Sequence, residues 1–522
     1  MRVDLYSLKV LRRGFVSMMC GRVVSAALTL AAMVLIARGL GVAEFGVYTI
    51  LLSVLALSIT YTGLGLDWVT ARYVPEYRIH GSSRDMRRLI AGYLAVRLVT
   101  LGLCAGLLLG VAHEVAEWFG IGGHEDEFAI YLLVVLMEGF ARAVRGEIFD
   151  PMLMPGHSQA NAALRGVIFA GLVFAWMQDG LVLHEVVIAE IWASAAAFLA
   201  TLAQTAWIMA RRTQGHERVE GWTPAPIRDM AAIAGHNYVA QLVSSLAGAN
   251  TLLLVGAAMA GPAAMAGFGF CRTLAEQIRR YLPITILITL ARPKIVAAYS
   301  VDGRFDRLLD HVQLLYKGNL LVLLPLLVLT VSGGDALLSL LSDGKFADQW
   351  LVAAGFVAFL VAQSHRVVLS LLTNILNVPE LTSVGSLASV VALPLGAVLL
   401  VAGAGPVGLV AALLVGEILS HAVIILALAR RGFPYRFDTS GYVRLGLCTA
   451  VTMAVTLTIM PDLGAAMPDL GAMALQALAI GGPVLLFGLL VLVAWPFTPF
   501  ERDAIARLTG LRRKPREPVV AG

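Results

Sequence analysis

Arginines stand inside long apolar runs of this sequence, among them Arg22, Arg38, Arg97, Arg165, Arg272, Arg279, Arg280 and Arg366. A guanidinium stays charged, and its planar fork pairs with carboxylate or phosphate oxygens two at a time. At the centre of a helix in hydrocarbon an arginine costs about 2.5–3.5 kcal/mol on insertion scales. Four facing lipid would cost on the order of 10 kcal/mol, comparable to a whole domain's stability. Each must therefore face a wet cavity, an acidic partner or an interface reached by snorkelling. Acidic partners occur at similar depth: Glu138, Glu190, Glu276 and Glu417. Arg272 and Glu276 are four apart, so they share a helix face and can pair. Glu138, Glu190 and Glu417 have two readings: static partners of arginines, or titrating groups that couple transport to a proton or sodium ion. His236, His365 and His421 are either proton relays or hydrogen-bonded core histidines. The amides Asn237, Gln241 and Asn250 fall on one run, where they serve a polar ligand or bond between helices.

The elements that carry these groups are membrane spans. The chain has 522 residues, 59% hydrophobic and 14% charged, where a soluble domain averages about 25% charged. Soluble and disordered classes are excluded. A span needs about 20 apolar residues, and fourteen runs qualify: 14–38, 46–69, 89–112, 128–149, 159–177, 185–210, 230–256, 264–290, 314–332, 350–373, 381–401, 407–429, 443–460 and 472–495. Lys and Arg concentrate in the tails and in alternate connections, namely 70–88, 142–158, 211–229, 291–313 and 430–442. That asymmetry places both termini in the cytoplasm. The other connections are short or acidic; His113 to Glu127 holds no Lys or Arg, and Lys345 alone breaks the pattern. Segment 70–88, ARYVPEYRIHGSSRDMRRL, mixes aromatics with arginine and fits a helix lying along the membrane surface.

The net charge of +5 is spread over these connections. It points to anionic lipid headgroups rather than nucleic acid. No connection is long enough for a soluble domain. Gly63-x-Gly65 and Gly267-x-Gly269 lack the strand–turn–helix context of a nucleotide site, and there is no Walker motif. The four cysteines, Cys20, Cys104, Cys271 and Cys448, lie in apolar runs without metal-ligand spacing. No metal, cofactor or enzymatic activity is expected. The N-terminal run, interrupted by Arg22, reads as a first span rather than a cleaved leader.

A weak repeat organises the runs. GVAEFGVYTI from Gly41 matches GPAAMAGFGF from Gly261, and MLMPGHSQAN around Pro155 matches ILNVPELTSV around Pro379. The two offsets, 220 and 224 residues, are nearly equal. The expectation is an all-α integral membrane protein of 14 transmembrane helices, with two pseudo-symmetric six-helix lobes plus two C-terminal helices. The boundaries are 1–212, a linker 213–229, 230–430, spans 13 and 14 over 431–497, and a tail 498–522. Gly102-xxx-Gly106-xxx-Gly110 predicts close helix packing. Pro283, Pro325 and Pro394 predict kinks.

The stretch RGLGVAEFGVYTILLSVLALSITYTGLGL, followed by ARYVPEYR, resembles the opening of the polysaccharide flippases of the multidrug/oligosaccharidyl-lipid/polysaccharide (MOP) superfamily. The turn Asn377-Val378-Pro379-Glu380 fits the second half of that family. The resemblance implies two lobes around a central cavity. It implies transport of undecaprenyl-pyrophosphate-linked oligosaccharide across the bacterial inner membrane by alternating access, for O-antigen or exopolysaccharide synthesis. Arginine suits the two phosphates of such a cargo. Spans 1, 2, 7 and 8 line the cleft in the resembled family, so Arg22 and Arg272 are the first candidates for the pyrophosphate, followed by Arg97 and Arg165. Asn237, Gln241 and Asn250 become candidates for the glycan. Expected partners are that lipid-linked oligosaccharide, membrane lipids, a coupling proton or sodium ion, and other polysaccharide-assembly proteins. Competing readings are a peptidoglycan-precursor flippase, a drug or cation antiporter of the same superfamily, and a glycan polymerase or ligase.

Overall fold

A computed structural model describes residues 8–212, 217–466 and 472–508. The tail cations Arg2, Arg512, Arg513, Lys514 and Arg516 lie outside the described residues, as do the side chains of Lys9, Arg12, Arg13, Cys20 and His236. Among the described residues all regular structure is helical. Helices close their backbone hydrogen bonds within one segment, which hydrocarbon demands. In chain order they are α1 (Leu8–Gly39), α2 (Val42–Tyr61), α3 (Leu66–His80), α4 (Ser83–Gly110), α5 (Ala112–Trp118), α6 (Glu125–Val144) and α7 (Pro155–Trp176). There follow α8 (Leu183–Trp207), α9 (Ile227–Leu246), α10 (Ala249–Ala260), α11 (Pro262–Tyr281), α12 (Pro283–Asp302), α13 (Phe305–Ser342) and α14 (Trp350–Ile375). The last are α15 (Glu380–Ser389), α16 (Ala392–Val401), α17 (Gly405–Arg430), α18 (Thr439–Ala466), α19 (Ala472–Ala494) and α20 (Pro499–Leu508).

Ten of the described helical segments are long and apolar enough to cross a membrane, or eleven when α9 and α10, bent by 45°, count as one. The protein is therefore a multi-pass membrane protein. The other expected runs fall on α6, on α11 with α12, and on α19. Helix α6 opens on Glu125, Asp126 and Glu127 and carries Glu138 and Arg142, which makes it too charged to qualify by composition. Pro283 starts α12 and separates it from α11. In α13, Pro325 is followed by a kink at Gly333. Pro394 lies in the first turn of α16, just beyond a break after α15.

The chain forms two compact units. One comprises Met1–Gln277 with Ser339–Phe346 and Val390–Leu413; the other comprises Ile278–Leu338, Ala347–Ser389 and Leu414–Gly522. In the first, α6, α7 and α8 pack together, α1 lies on α7, α4 on α6, and α2 on α6 and α10. Aromatic and aliphatic side chains from segment 70–88, including Tyr73, Val74, Tyr77 and Met86, are buried with Tyr93, Phe140 and Phe149. In the second unit α18 packs along α19 around Leu445, Cys448, Phe487 and Val491.

The repeated motifs have local structural meaning. A Cβ on Gly46 would overlap the Pro262 carbonyl, and one on Gly269 would overlap the side chain of Thr49. Glycine at both places lets α2 and α11 cross backbone to backbone. At the other pair of motifs Leu153 and Asn377 both take a left-handed conformation, with φ of 54° and 57°. The next amide closes the same six-residue turn in each: Met154 N donates to Phe149 O at 2.9 Å, and Val378 N to Thr373 O at 2.8 Å. The stripe Gly102, Gly106 and Gly110 corrects the expected helix packing. No atom stands within 4 Å of an added Cβ there, and neighbouring Leu103 and Leu107 are exposed.

Candidate functional site

Glu138 on α6 is the centre of a buried charge cluster. It accepts from Arg145 at 2.8 Å and lies 3.3 Å from both Arg142 and Arg165. Helix α6 continues through a π-turn, Arg145–Phe149, which wraps Arg145 back toward Glu138. Arg142 and Arg145 were expected in a cytoplasmic connection; they belong to this cluster instead. Arg165 on α7 also reaches Glu190 on α8 at 2.7 Å, and Tyr48 OH on α2 donates to Glu190 at 3.0 Å. The guanidinium of Arg165 lies 5.6 Å from the Phe169 ring centroid. Four helices are thus tied by three arginines, two glutamates and a tyrosine.

Arg97 on α4 stands apart from that cluster in its pairing. It is buried, ion-paired with Glu147 of the π-turn, and its Nη1 donates to Ile59 O at 3.4 Å. Arg22 on α1 is half-buried. It acts electrostatically on Asp150, which follows the π-turn. Its neighbour Gly21 packs directly on Gln159 of α7.

Arg272 and Asn250 are brought together. Arg272 on α11 is 3% exposed. Its Nη1 donates to Asn250 Oδ1 at the start of α10 and lies 3.3 Å from Glu276, which remains one-third exposed. Its Nε is buried without a hydrogen-bond partner among the described residues. Asn237 instead donates to Ile233 O of its own helix at 2.8 Å. Gln241 Oε1 is buried with no hydrogen-bond partner among the described residues. Arg279 and Arg280 are exposed at the end of α11, and Arg38 at the end of α1.

In the second unit Arg366 on α14 donates to Glu417 on α17 at 2.8 Å, and His421 lies 3.6 Å from the same carboxylate. His365 and His421 meet edge to face at 4.8 Å between centroids, and His365 shares a 3.0 Å hydrogen bond with Tyr435. Sequence reading missed Lys317, which is fully buried. It donates to Asp438 at 2.5 Å, Glu501 at 2.6 Å and Pro496 O at 3.0 Å. Its acidic partners lie more than a hundred residues away in sequence, so no local spacing announced them. Lys345 was noted only as an exception to the charge rule. It caps α1 by donating to Arg38 O at 2.6 Å and Leu40 O at 2.7 Å. Among the described residues Cys104, Cys271 and Cys448 form no disulfide, and there is no metal-type cluster of His, Cys, Asp and Glu.

These helices build a fold known from membrane transporters, in which buried charge is carried on apolar helices. The lipid II flippase MurJ in an inward closed conformation superposes with a TM-score of 0.69 at 12% identity, over 94% of this chain and 99% of that one. An inward-facing multidrug resistance MATE family transporter of the MOP superfamily gives 0.56 at 12% identity, over 80% and 98%. The MATE multidrug transporter DinF-BH gives 0.53 at 16% identity, over 82% and 96%. By sequence the chain matches no protein-family model and no curated protein. The fold is what these likenesses establish.

Proposed function

We propose that the protein flips a polyprenyl-pyrophosphate-linked oligosaccharide from the cytoplasmic to the periplasmic leaflet of a bacterial inner membrane, for surface polysaccharide synthesis. In this reading fourteen spans form two six-helix lobes and two further helices, with both termini cytoplasmic, and alternating access moves the cargo. The observation that carries it is Arg272: buried, bonded to a neutral amide and a partly exposed carboxylate, with one N–H unused. A diphosphate is a natural acceptor for such a guanidinium. Arg22 is its proposed partner from the first helix, with Asn250 and Gln241 toward the glycan. Arg97 and Arg165 act from behind, through their glutamates. Of the acidic residues, Glu417 is the proposed coupling group, since it faces one arginine and a histidine, whereas Glu138 faces three arginines.

A second reading, flipping of a peptidoglycan lipid precursor, is favoured by the near-complete coverage of a lipid II flippase structure. Both cargoes carry the pyrophosphate. The test is transport in vesicles loaded with each lipid, with export complementation in cells. Arg22→Ala and Arg272→Ala are expected to insert and fold yet to stop flipping. Full export by the double alanine variant would overturn the site. Movement of lipid II alone would select the second reading.

A further inference from the structure

We infer that the first unit holds a resident anionic phospholipid, with one acyl chain in a groove walled by α3, α4, α9 and the linker. The groove has a volume of about 740 Å³, within the range of roughly 300–1,000 Å³ typical of ligand sites. Its wall is almost wholly apolar, with Leu66, Val69, Leu89, Val96 and Met230 among the lining residues. Val96 and Ile227 remain exposed in it. Water is a poor occupant for such a wall.

One end of the groove is basic. Arg88 on α4 lines it and is exposed; no acidic side chain pairs with it among the described residues. Arg84 and Arg87 stand exposed on the same turns. The acid nearby, Asp85, is already committed: Arg218 grips it through both oxygens at 2.7 and 3.0 Å, and Ser82 completes a capping box. Arg88 therefore faces an incoming anion at one end of an apolar trough, with Arg84 and Arg87 adding positive charge on the same turns. From Arg88 to Val96 the trough follows two turns of α4, about 12 Å at 1.5 Å per residue. A free phosphate would leave the trough empty, and a neutral apolar molecule would leave the arginines unpaired. A phospholipid satisfies both ends, and basic juxtamembrane clusters attract anionic headgroups.

The linker completes the site. Val219 N bonds to His80 O at 2.9 Å, and Trp222 Nε1 donates to Glu76 at 3.1 Å. These ties hold Pro224, Ala225 and Ile227 over the groove. The groove shares no residue with the Arg272–Asn250 cluster, so the inference does not rest on the proposed cargo.

Gly92 lines the groove, and an added Cβ there meets no atom within 4 Å. Gly92→Phe should fill the trough without moving the backbone, and Val96→Trp should fill it from the next turn. The experiment is native mass spectrometry of the full-length protein extracted from vesicles of phosphatidylglycerol or of phosphatidylcholine. The wild type should retain one phosphatidylglycerol in preference to phosphatidylcholine. Either filling variant should lower retention at least about tenfold, as expected for losing a few buried methylenes. Arg88→Gln should reduce the headgroup preference about fivefold, the effect of one basic side chain near the surface. Unchanged retention in both filling variants overturns the site. So does equal retention of the two headgroups, and so does recovery of a polyprenyl lipid that phosphatidylglycerol cannot displace.

Discussion

Arg165→Ala tests whether the central charge cluster is structural. Arg165 lies between two carboxylates, 3.3 Å from Glu138 and 2.7 Å from Glu190. Without it Glu138 keeps Arg145 and Arg142. Glu190 keeps only the Tyr48 hydroxyl, while it is 1% exposed. The loss therefore falls on Glu190, a buried carboxylate left without a cation. Removing one partner of a buried pair costs about 3–5 kcal/mol. Glu190→Gln should cost less, about 1–2 kcal/mol, because an amide still accepts from Tyr48 and Arg165 still has Glu138. Arg165→Met with Glu190→Leu should recover most of the loss, since no charge is then stranded. The assay is denaturant unfolding of the purified protein in detergent at neutral pH, analysed as a double-mutant cycle. If Arg165→Ala unfolds within about 1 kcal/mol of the wild type, well below that expected loss, the guanidinium is not held as described. It would then stand again beside Arg97 as a candidate for cargo contact, after Arg22 and Arg272.

Three further outcomes are expected. Asp438 sits before α18, where burial raises its carboxyl pKa, but the bonds from Lys317, the Gly441 amide and Ser440 together with the Lys317 charge outweigh that and hold it below the usual range. Its stabilisation is complete above about pH 4, the ordinary carboxylate pKa. It is lost as pH falls through the lower folded value, and Asp438→Asn should flatten that acid limb in a melting series. Gly46→Leu should cost at least about 1–3 kcal/mol by forcing α2 off the Pro262 carbonyl; a melting temperature equal to wild type would refute the close crossing. Lys345→Met should speed amide exchange at residues 36–41 by removing the cation that caps the α1 carbonyls, a contribution of about 0.3–1 kcal/mol.

What the sequence made legible follows from what it makes periodic. Apolar runs and the one-sided placement of arginine announced a helical membrane protein. The matched motifs around Pro155 and Pro379 fall on turns with the same hydrogen bond. Arg272 with Glu276 was readable because helix neighbours recur four residues apart. Asn250, on a separate helix, was singled out only as an amide, and its contact with Arg272 had no spacing signal. The same holds for Lys317, whose partners come from distant segments. Arg145 was read as a surface cation because a π-turn has no clear sequence signature. The Gly102 stripe misled because small residues permit packing without requiring it. Charge breaks the apolar run on α6, and Pro283 divides the run shared by α11 and α12.

The balance of buried charge bears on the cargo. Five carboxylates are buried among the described residues: Asp85, Glu138, Glu190, Glu417 and Glu501. Each already contacts a cation: Arg218, Arg145, Arg165, Arg366 and Lys317 in turn. A cationic drug that took one of these five carboxylates would have to break its pair and strand the displaced arginine or lysine, at a cost of several kcal/mol. An anion meets a different surface. Arg272 has a donor unused and shares its charge with a glutamate that water already reaches. A pyrophosphate can therefore bind there by displacing solvent from Glu276 and turning the guanidinium, without unmaking a buried pair. In the proposed reading this asymmetry favours an anionic cargo over a cationic one.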